Sequence, residues 1–379
     1  MINKKILFVF KNPIIKCPRP RRLALTIANK HEVSYLCPAE INESEQQDIK
    51  RFGYLYRKIQ SPFIRYLKKV SIKCGLFKLA SWIESDRYEF PLISDGQFDI
   101  IFVHDLYLFP YFSHFTKTKV IFDAREYYPL EMADDTVWRN TDGKLAEYTC
   151  KKYLKKPYKM LTVSNSLVEM YQSMLKRDVH YFPSYPREEL RIREPNLNSQ
   201  FPLRFIHHGA AIENRGIERM IELMRLLGDD YQLDLMLVPM MKGNYIGKLK
   251  AMAADLRNVR FINTVHPDDI IGTCAEYDLG LYIMSINESQ NRYCLPNKFF
   301  EFIFAGLPVI TSFSQDMKTL IDKNDLGVGF LEESIEEIAE SIRQLTTADI
   351  ARFKQNVAEK TKTWTTANNI RSNFPELEL

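Results

Sequence analysis

Short apolar runs and helical stretches take turns along this chain in two successive series, and a proline-rich break separates them. Residues 5–10 (KILFVF) and 32–37 (EVSYLC) are apolar runs joined by a helical stretch at about 21–30, which makes one βαβ unit. Further short apolar runs follow at 98–103, 120–122 and 159–163. Such alternation predicts a parallel sheet with helices on both faces. Residues 182–202 then hold four prolines (Pro183, Pro186, Pro195, Pro202), many charges and few apolar side chains, and read as a linker. The alternation restarts with strands at 204–207, 233–238, 260–262, 279–283 and 307–311, and helices at 216–227, 297–305 and 335–345. A chain of 379 residues is too long for one ordinary core and suits two. The predicted fold class is therefore α/β, with two doubly wound Rossmann-like domains, 1–185 and 200–355. Two such domains facing a central cleft would bind ligands at the C-terminal ends of their strands.

Several function classes drop out early. The six cysteines show no C-x-x-C pair and no metal-ligand spacing, so reduced thiols are expected rather than a disulfide framework or a zinc site. The apolar run in MINKKILFVF is about five residues long before Lys11, too short for a signal h-region or a membrane span, and it reads as a buried strand. A cytoplasmic location follows as the expectation. The net charge of +4 argues against a nucleic-acid partner.

Two segments can carry chemistry. The first is residues 293–310, YCLPNKFFEFIFAGLPVI. Pro296 suits the first turn of a helix, where its missing N–H costs nothing. The free N–H groups of Asn297 and its neighbours, with Lys298 beside them, suit a phosphate. Glu301 follows about one turn further in, where a carboxylate can accept bonds from two adjacent ribose hydroxyls. A solvated helix face is the plain alternative. It is weakened by Phe299, Phe300, Phe302 and Phe304, because a carboxylate buried among them needs a partner. The second segment, residues 205–219 (FIHHGAAIENRGIER), places Gly209 at a strand end and Arg215 with Gly216 at the mouth of a helix, positions that suit an anionic diphosphate. Taken alone, that second pattern is shared by many ordinary connecting loops.

Taken in order, Gly209…Arg215-Gly216, residues 258–262 (NVRFI), 277–281 (YDLGL) and 295–308 (LPNKFFEFIFAGLP) resemble the donor half of retaining GT-B glycosyltransferases of family 4. The likeness spans about 203–330 and continues more weakly through 98–105 (FDIIFVHD), 120–126 (VIFDARE) and 146–167. It implies a nucleotide-sugar site of Gly209, Arg215, Gly216, Tyr293, Leu295, Pro296, Asn297, Lys298 and Glu301, with Glu301 on the ribose. It also implies acceptor activation among His104, Asp105, Arg125 and Glu126, retention of configuration, and a tail (356–379) that returns to the first domain. The chain departs from that pattern in three places. Tyr293 stands where many members carry a first, sugar-reading glutamate, so Glu288 or Asn291 would have to substitute. Arg125 stands where many carry histidine. The first loop has no Gly-Gly pair and offers Arg19, Arg21 and Arg22 to phosphates of donor or acceptor. No Asp-x-Asp stands at a strand end, so neither a metal nor a cofactor beyond the donor, a UDP- or GDP-sugar, is called for.

Residues 51–83 hold eight lysines and arginines and no acid, with seven aromatic residues interleaved. This reads either as a membrane-surface contact or as a solvated helix face over ordinary core aromatics. The whole chain is thus expected to be a hexosyltransferase-type enzyme of bacterial surface polysaccharide synthesis. It would act on a saccharide or lipid-linked acceptor, in the cytoplasm or peripherally on the inner face of the membrane. A nucleotide-sugar epimerase of the same fold and a non-catalytic GT-B subunit that scaffolds a partner transferase are the alternatives.

Overall fold

The computed structural model describes residues 3–38, 49–192, 196–213, 215–240, 243–284 and 290–378. Glu288 and Pro195 lie outside these described residues. The chain divides into two compact units: Met1–Pro183 with Glu288–Gln290 and Asn369–Leu379, and Ser184–Asn287 with Asn291–Asn368.

In the first unit the strands are β1 (Lys5–Val9), β2 (Glu32–Cys37), β3 (Lys50–Tyr54), β4 (Tyr56–Arg57), β5 (Tyr88–Glu89), β6 (Ile100–Val103), β7 (Lys119–Ala124), β8 (Lys159–Thr162) and β9 (His180–Tyr181). Seven of them form one parallel sheet in the order β3-β2-β1-β6-β7-β8-β9, and β4 pairs antiparallel with β5. Apolar residues run almost unbroken through β1 and β6 because both faces of the sheet are covered. Alternate side chains serve the two faces. Leu7, Val9, Ile101 and Val103 meet Phe109 and Tyr171 on one side. Ile6, Phe8 and Phe102 meet Leu23 and Ile27 of helix Pro18–Ala28 on the other, together with Ile370 and Phe374 of the tail.

The second unit holds β10 (Leu203–Ala210), β11 (Tyr231–Val238), β12 (Val259–Ile262), β13 (Leu279–Tyr282), β14 (Val309–Thr311) and β15 (Gly327–Gly329). They make one parallel sheet in the order β12-β11-β10-β13-β14-β15. Helix Ile217–Leu227 packs Ile217, Ile221 and Met224 onto Phe205, Leu233, Leu235 and Leu281. In each sheet the strand order reverses at one place, between β1 and β6 and between β10 and β13. Ligands of such sheets bind at the carboxyl ends of the strands flanking that reversal.

Three readings need correction. The first helix starts earlier than the pattern suggests, at Pro18, because two prolines in its opening turn are compatible with a helix start. Pro296 stands at the position just before helix Asn297–Phe304, not in its first turn. The helix-face alternative for residues 51–83 applies to only part of that stretch. These residues begin in edge strand β3, pass through β4, and only then form helices Pro62–Lys73 and Phe77–Ser85. No described helix is long and apolar enough to cross a membrane.

Candidate functional site

In the second unit the reversal point is set by how closely helix Asn297–Phe304 approaches β13. A Cβ at Gly280 would fall 2.3 Å from Cγ of Phe302, so any other residue there would push the helix off the sheet. Tyr185 and Trp364 pack on Phe300 from the outside, at centroid distances of 4.9 and 5.8 Å. The N-terminus of this helix is thereby fixed beside the end of β10. Pro296 offers no side-chain acceptor, so no cap closes the helix. Its free N–H groups are the kind that receive an anion.

Lys298 projects from this terminus into unusual company. Its half-buried ammonium lies 4.2 Å from the centroid of Tyr282 and 3.4 Å from Nε2 of His207. His207 is buried, and its Nδ1 lies 2.8 Å from the Leu281 carbonyl, an acceptor only. Nδ1 must therefore carry the proton, and Nε2 presents a lone pair to Lys298. Burial first, and then the Lys298 charge, hold the imidazole pKa well below its usual value. Burial and the neighbouring Arg215 push the Lys298 pKa down to about 7, with Glu301 and Cys294 acting the other way. Gly209, at the end of β10, has φ 134°, and a Cβ there would sit 3.1 Å from Lys298 Nζ. Glycine thus leaves room for the ammonium beside bare backbone.

The remaining residues of the segment group around that cation. Arg215 is exposed, and its charge also acts on the buried Tyr282 hydroxyl. Gly216 caps helix Ile217–Leu227 at φ 76°. Glu301 is buried, and its Oε2 lies 3.4 Å from Nε2 of His208. Asn297 is hydrogen-bonded to Ser184. Leu295 is buried, and Tyr293 stands half-buried in the 3-10 turn Gln290–Tyr293 that precedes the helix. Gly209, Arg215, Lys298 and Glu301 are therefore brought together at one strand end.

At the reversal point of the first unit, His104 and Asp105 follow β6, while Arg125 and Glu126 follow β7. His104 is fully buried, with Nδ1 3.0 Å from Asp123 Oδ2 and no hydrogen-bond partner at Nε2. Burial lowers its pKa despite the aspartate, so the imidazole is neutral. Asp105 meets Lys11 at 2.6 Å. Arg125 is half-buried. Burial opposes its charge, but Tyr128, Cys17, Asp105 and Glu126 outweigh that and raise its pKa. Glu131 lies beside Glu126. Burial of its carboxyl and that neighbouring charge push its pKa up to about 7.

Arg19 is placed differently from the expectation of a phosphate ligand. It is buried, and its Nε and Nη2 donate to both oxygens of Asp123 at 2.9 and 2.6 Å, so its charge is already committed. Arg22 is buried on the same helix, and Arg21 is half-buried. Sequence reasoning missed Asp123, His207, Tyr282, Lys11 and Glu131. The His-His pair before Gly209 was a usable signal for His207, since a strand turns successive residues to opposite faces. Asp123 had none, because its partner Arg19 is 104 positions away. Among the described residues no group of His, Cys, Asp and Glu is placed to hold a metal ion.

Residues 237–372 match a family model described as glucosyltransferase 3-like, C-terminal domain. No curated protein sequence matches the chain. Among solved structures it is similar to sucrose-phosphate synthase from Thermosynechococcus elongatus, with a TM-score of 0.70 and 12% identity over 99% of this chain and 98% of that one. It is likewise similar to Anabaena HepE in complex with UDP and glucose, with a TM-score of 0.70 and 11% identity over 99% and 100%. WaaG, a glycosyltransferase involved in lipopolysaccharide biosynthesis, aligns with a TM-score of 0.65 and 15% identity over 94% and 95%. The fold is that of the GT-B glycosyltransferases. The family match and this likeness together support a glycosyltransferase.

Proposed function

We propose that the protein transfers a sugar from a nucleoside-diphosphate sugar to a saccharide or lipid-linked acceptor, with the donor held at the β10/β13 strand ends. The observation that carries this reading is Lys298. It is a cation at an uncapped helix N-terminus, facing a neutral histidine and an aromatic ring, with Glu301 one turn further along. In the reaction the bond between the anomeric carbon and the phosphate oxygen breaks, and negative charge grows on the leaving diphosphate. Lys298, Arg215 and the N–H groups of the helix terminus stabilise that charge without having to reorganise. Glu301 accepts from the ribose hydroxyls, with His208 Nε2 3.4 Å from the carboxylate. Tyr293 meets the sugar side.

Within the first unit, His104, Asp105, Arg125 and Glu126 serve the acceptor, with Asp123 3.0 Å from Nδ1 of His104. The UDP held by HepE favours a uridine donor over GDP. Retention follows from the family-4 resemblance. A role in bacterial surface polysaccharide synthesis in the cytoplasm fits WaaG's part in making lipopolysaccharide.

Thermal unfolding with UDP, GDP, ADP and CMP tests the donor assignment. One nucleotide, UDP first, should raise the melting temperature. At a hundredfold excess over Kd the linkage is worth about 2.7 kcal/mol. Glu301→Ala should abolish the shift, and an undiminished shift would remove Glu301 from the ribose. A protein that answers to none of the nucleotides, and neither hydrolyses nor transfers from any nucleotide sugar, is a scaffold rather than an enzyme. Epimerised sugar appearing without acceptor would identify an epimerase instead.

A further inference from the structure

The first unit carries a surface that the donor chemistry does not use. Arg57 and Lys58 of the β4 segment, Arg65, Lys68 and Lys69 of helix Pro62–Lys73, and Arg87 line a pocket of about 390 Å³ that no carboxylate lines. Neighbouring acids answer only half of these cations. Lys68 meets Glu84 at 2.9 Å and Asp142 at 3.1 Å, Arg87 meets Glu84, and Lys58 lies 3.7 Å from Asp86. Arg57, Arg65 and Lys69 have no ion-pair partner among the described residues.

Large apolar side chains stand out of the same segment. Ile59 is 99% exposed, Phe63 72%, Tyr66 66% and Trp82 61%. On helix Pro62–Lys73, Arg65, Lys69 and Lys73 recur every four residues, and Tyr66 and Phe63 continue the same arc at helical spacing. Ser71 and Ile72 are its buried residues. The outward face is therefore half cationic and half aromatic.

A solvated face would not leave Ile59, Phe63, Tyr66 and Trp82 in water together, since exposed apolar patches of this kind mark contact sites. A second copy of the chain is a poor occupant, because a two-fold contact would set Arg57, Arg65 and Lys69 against themselves. Anionic lipid answers both halves at once: headgroup phosphates meet the cations, and the rings enter the headgroup boundary. We propose that residues 56–87 form a docking surface for an anionic phospholipid bilayer, with the basic pocket receiving a headgroup phosphate. This stands independently of the transferase reading.

Sedimentation of the full chain with vesicles provides the test. The protein should pellet with phosphatidylcholine–phosphatidylglycerol vesicles and not with phosphatidylcholine alone, and added salt should weaken the binding. F63S/Y66S/W82S and R65E/K69E should each weaken it by about tenfold or more. Both variants should keep the wild-type far-ultraviolet circular dichroism and melting temperature, which shows that they fold. Three results would overturn the proposal: no binding to the anionic vesicles, undiminished binding by the two variants, or a dimer that the aromatic variant dissolves without any vesicle binding. A response to inorganic phosphate without vesicle binding would mark a site for free anions and equally end the lipid assignment.

Discussion

The strand ends of β1/β6 and of β10/β13 occupy the same topological position in two sheets of the same kind, yet they handle charge in opposite ways. At β10/β13 the central cation, Lys298, has a neutral imidazole, an aromatic face and a second cation, Arg215, around it, with the buried Glu301 carboxylate acting the other way. At β1/β6 the charges are already matched: Arg19 is clamped on Asp123, Asp123 also faces His104, and Lys11 is paired with Asp105. A strand end where two cations depress each other's charge is relieved by an anionic ligand. A point compensated from within can accept a neutral, hydroxyl-bearing molecule without leaving a buried charge behind. The contrast is the one that the proposed assignment, a diphosphate donor on one unit and a sugar acceptor on the other, calls for.

The largest effect should come from breaking the compensation in the first unit. Asp123→Asn keeps the volume but leaves the Arg19 guanidinium buried and unanswered, and losing one partner of a buried ion pair costs about 3–5 kcal/mol. The measurement is the urea midpoint of the transition that carries the first unit, compared with wild type. A loss below about 1 kcal/mol, the scale of surface pairs, would mean that the Arg19 site is not closed to water. The nucleotide-induced shift should survive the substitution, since no residue near Lys298 is changed.

The two regions also differ in how far they could be read before the structure was known. The donor segment is local. Pro296, Lys298 and Glu301 lie within six positions, so one helix start displays them together. The wider alternation was equally legible, and β2 begins and ends where its apolar run does. The compensation in the first unit was not legible, because Arg19 and Asp123 meet only through the sheet, across 104 positions. Arg19 therefore looked like a free cation in a proline-rich loop. Edge strand β3 and short β15 were missed for a related reason: RFGY and GVG carry little of the apolar signal that marks central strands.

A substitution in the second unit should show the reverse of Asp123→Asn. Lys298→Met removes a cation without orphaning a carboxylate in contact with it, so folding stability should hold or rise. Nucleotide binding should weaken, since a hydrogen bond to a charged group is worth about 1.5–3 kcal/mol, or roughly tenfold to a hundredfold in Kd. Isothermal titration with the best nucleotide from the thermal screen separates the two quantities. Equal affinity in wild type and Lys298→Met would show that the diphosphate does not rely on this ammonium.

The smallest effect, and the most diagnostic of the comparison, is the pH dependence of the same residue. The Lys298 pKa is about 7 in the ligand-free protein, below the 10.5 of an unperturbed lysine, because burial and Arg215 disfavour its charged form. Two consequences of opposite sign follow. In folding, the unfolded chain binds the proton more tightly, so stability contributed at this site rises as pH goes from about 7 towards 10.5. In binding, a diphosphate favours the charged form and raises the pKa again. Nucleotide affinity should therefore fall as pH rises above about 7, by up to about tenfold per unit until the pKa of the complex is reached. Proton uptake on binding, seen as a buffer-dependent heat of titration at pH 8, reports the coupling directly. Lys298→Met should lose that buffer dependence while keeping whatever residual affinity Arg215 and the helix terminus supply. A wild-type heat that is the same in every buffer would mean that Lys298 is already charged before the donor arrives, and that the β10/β13 end is compensated like its counterpart.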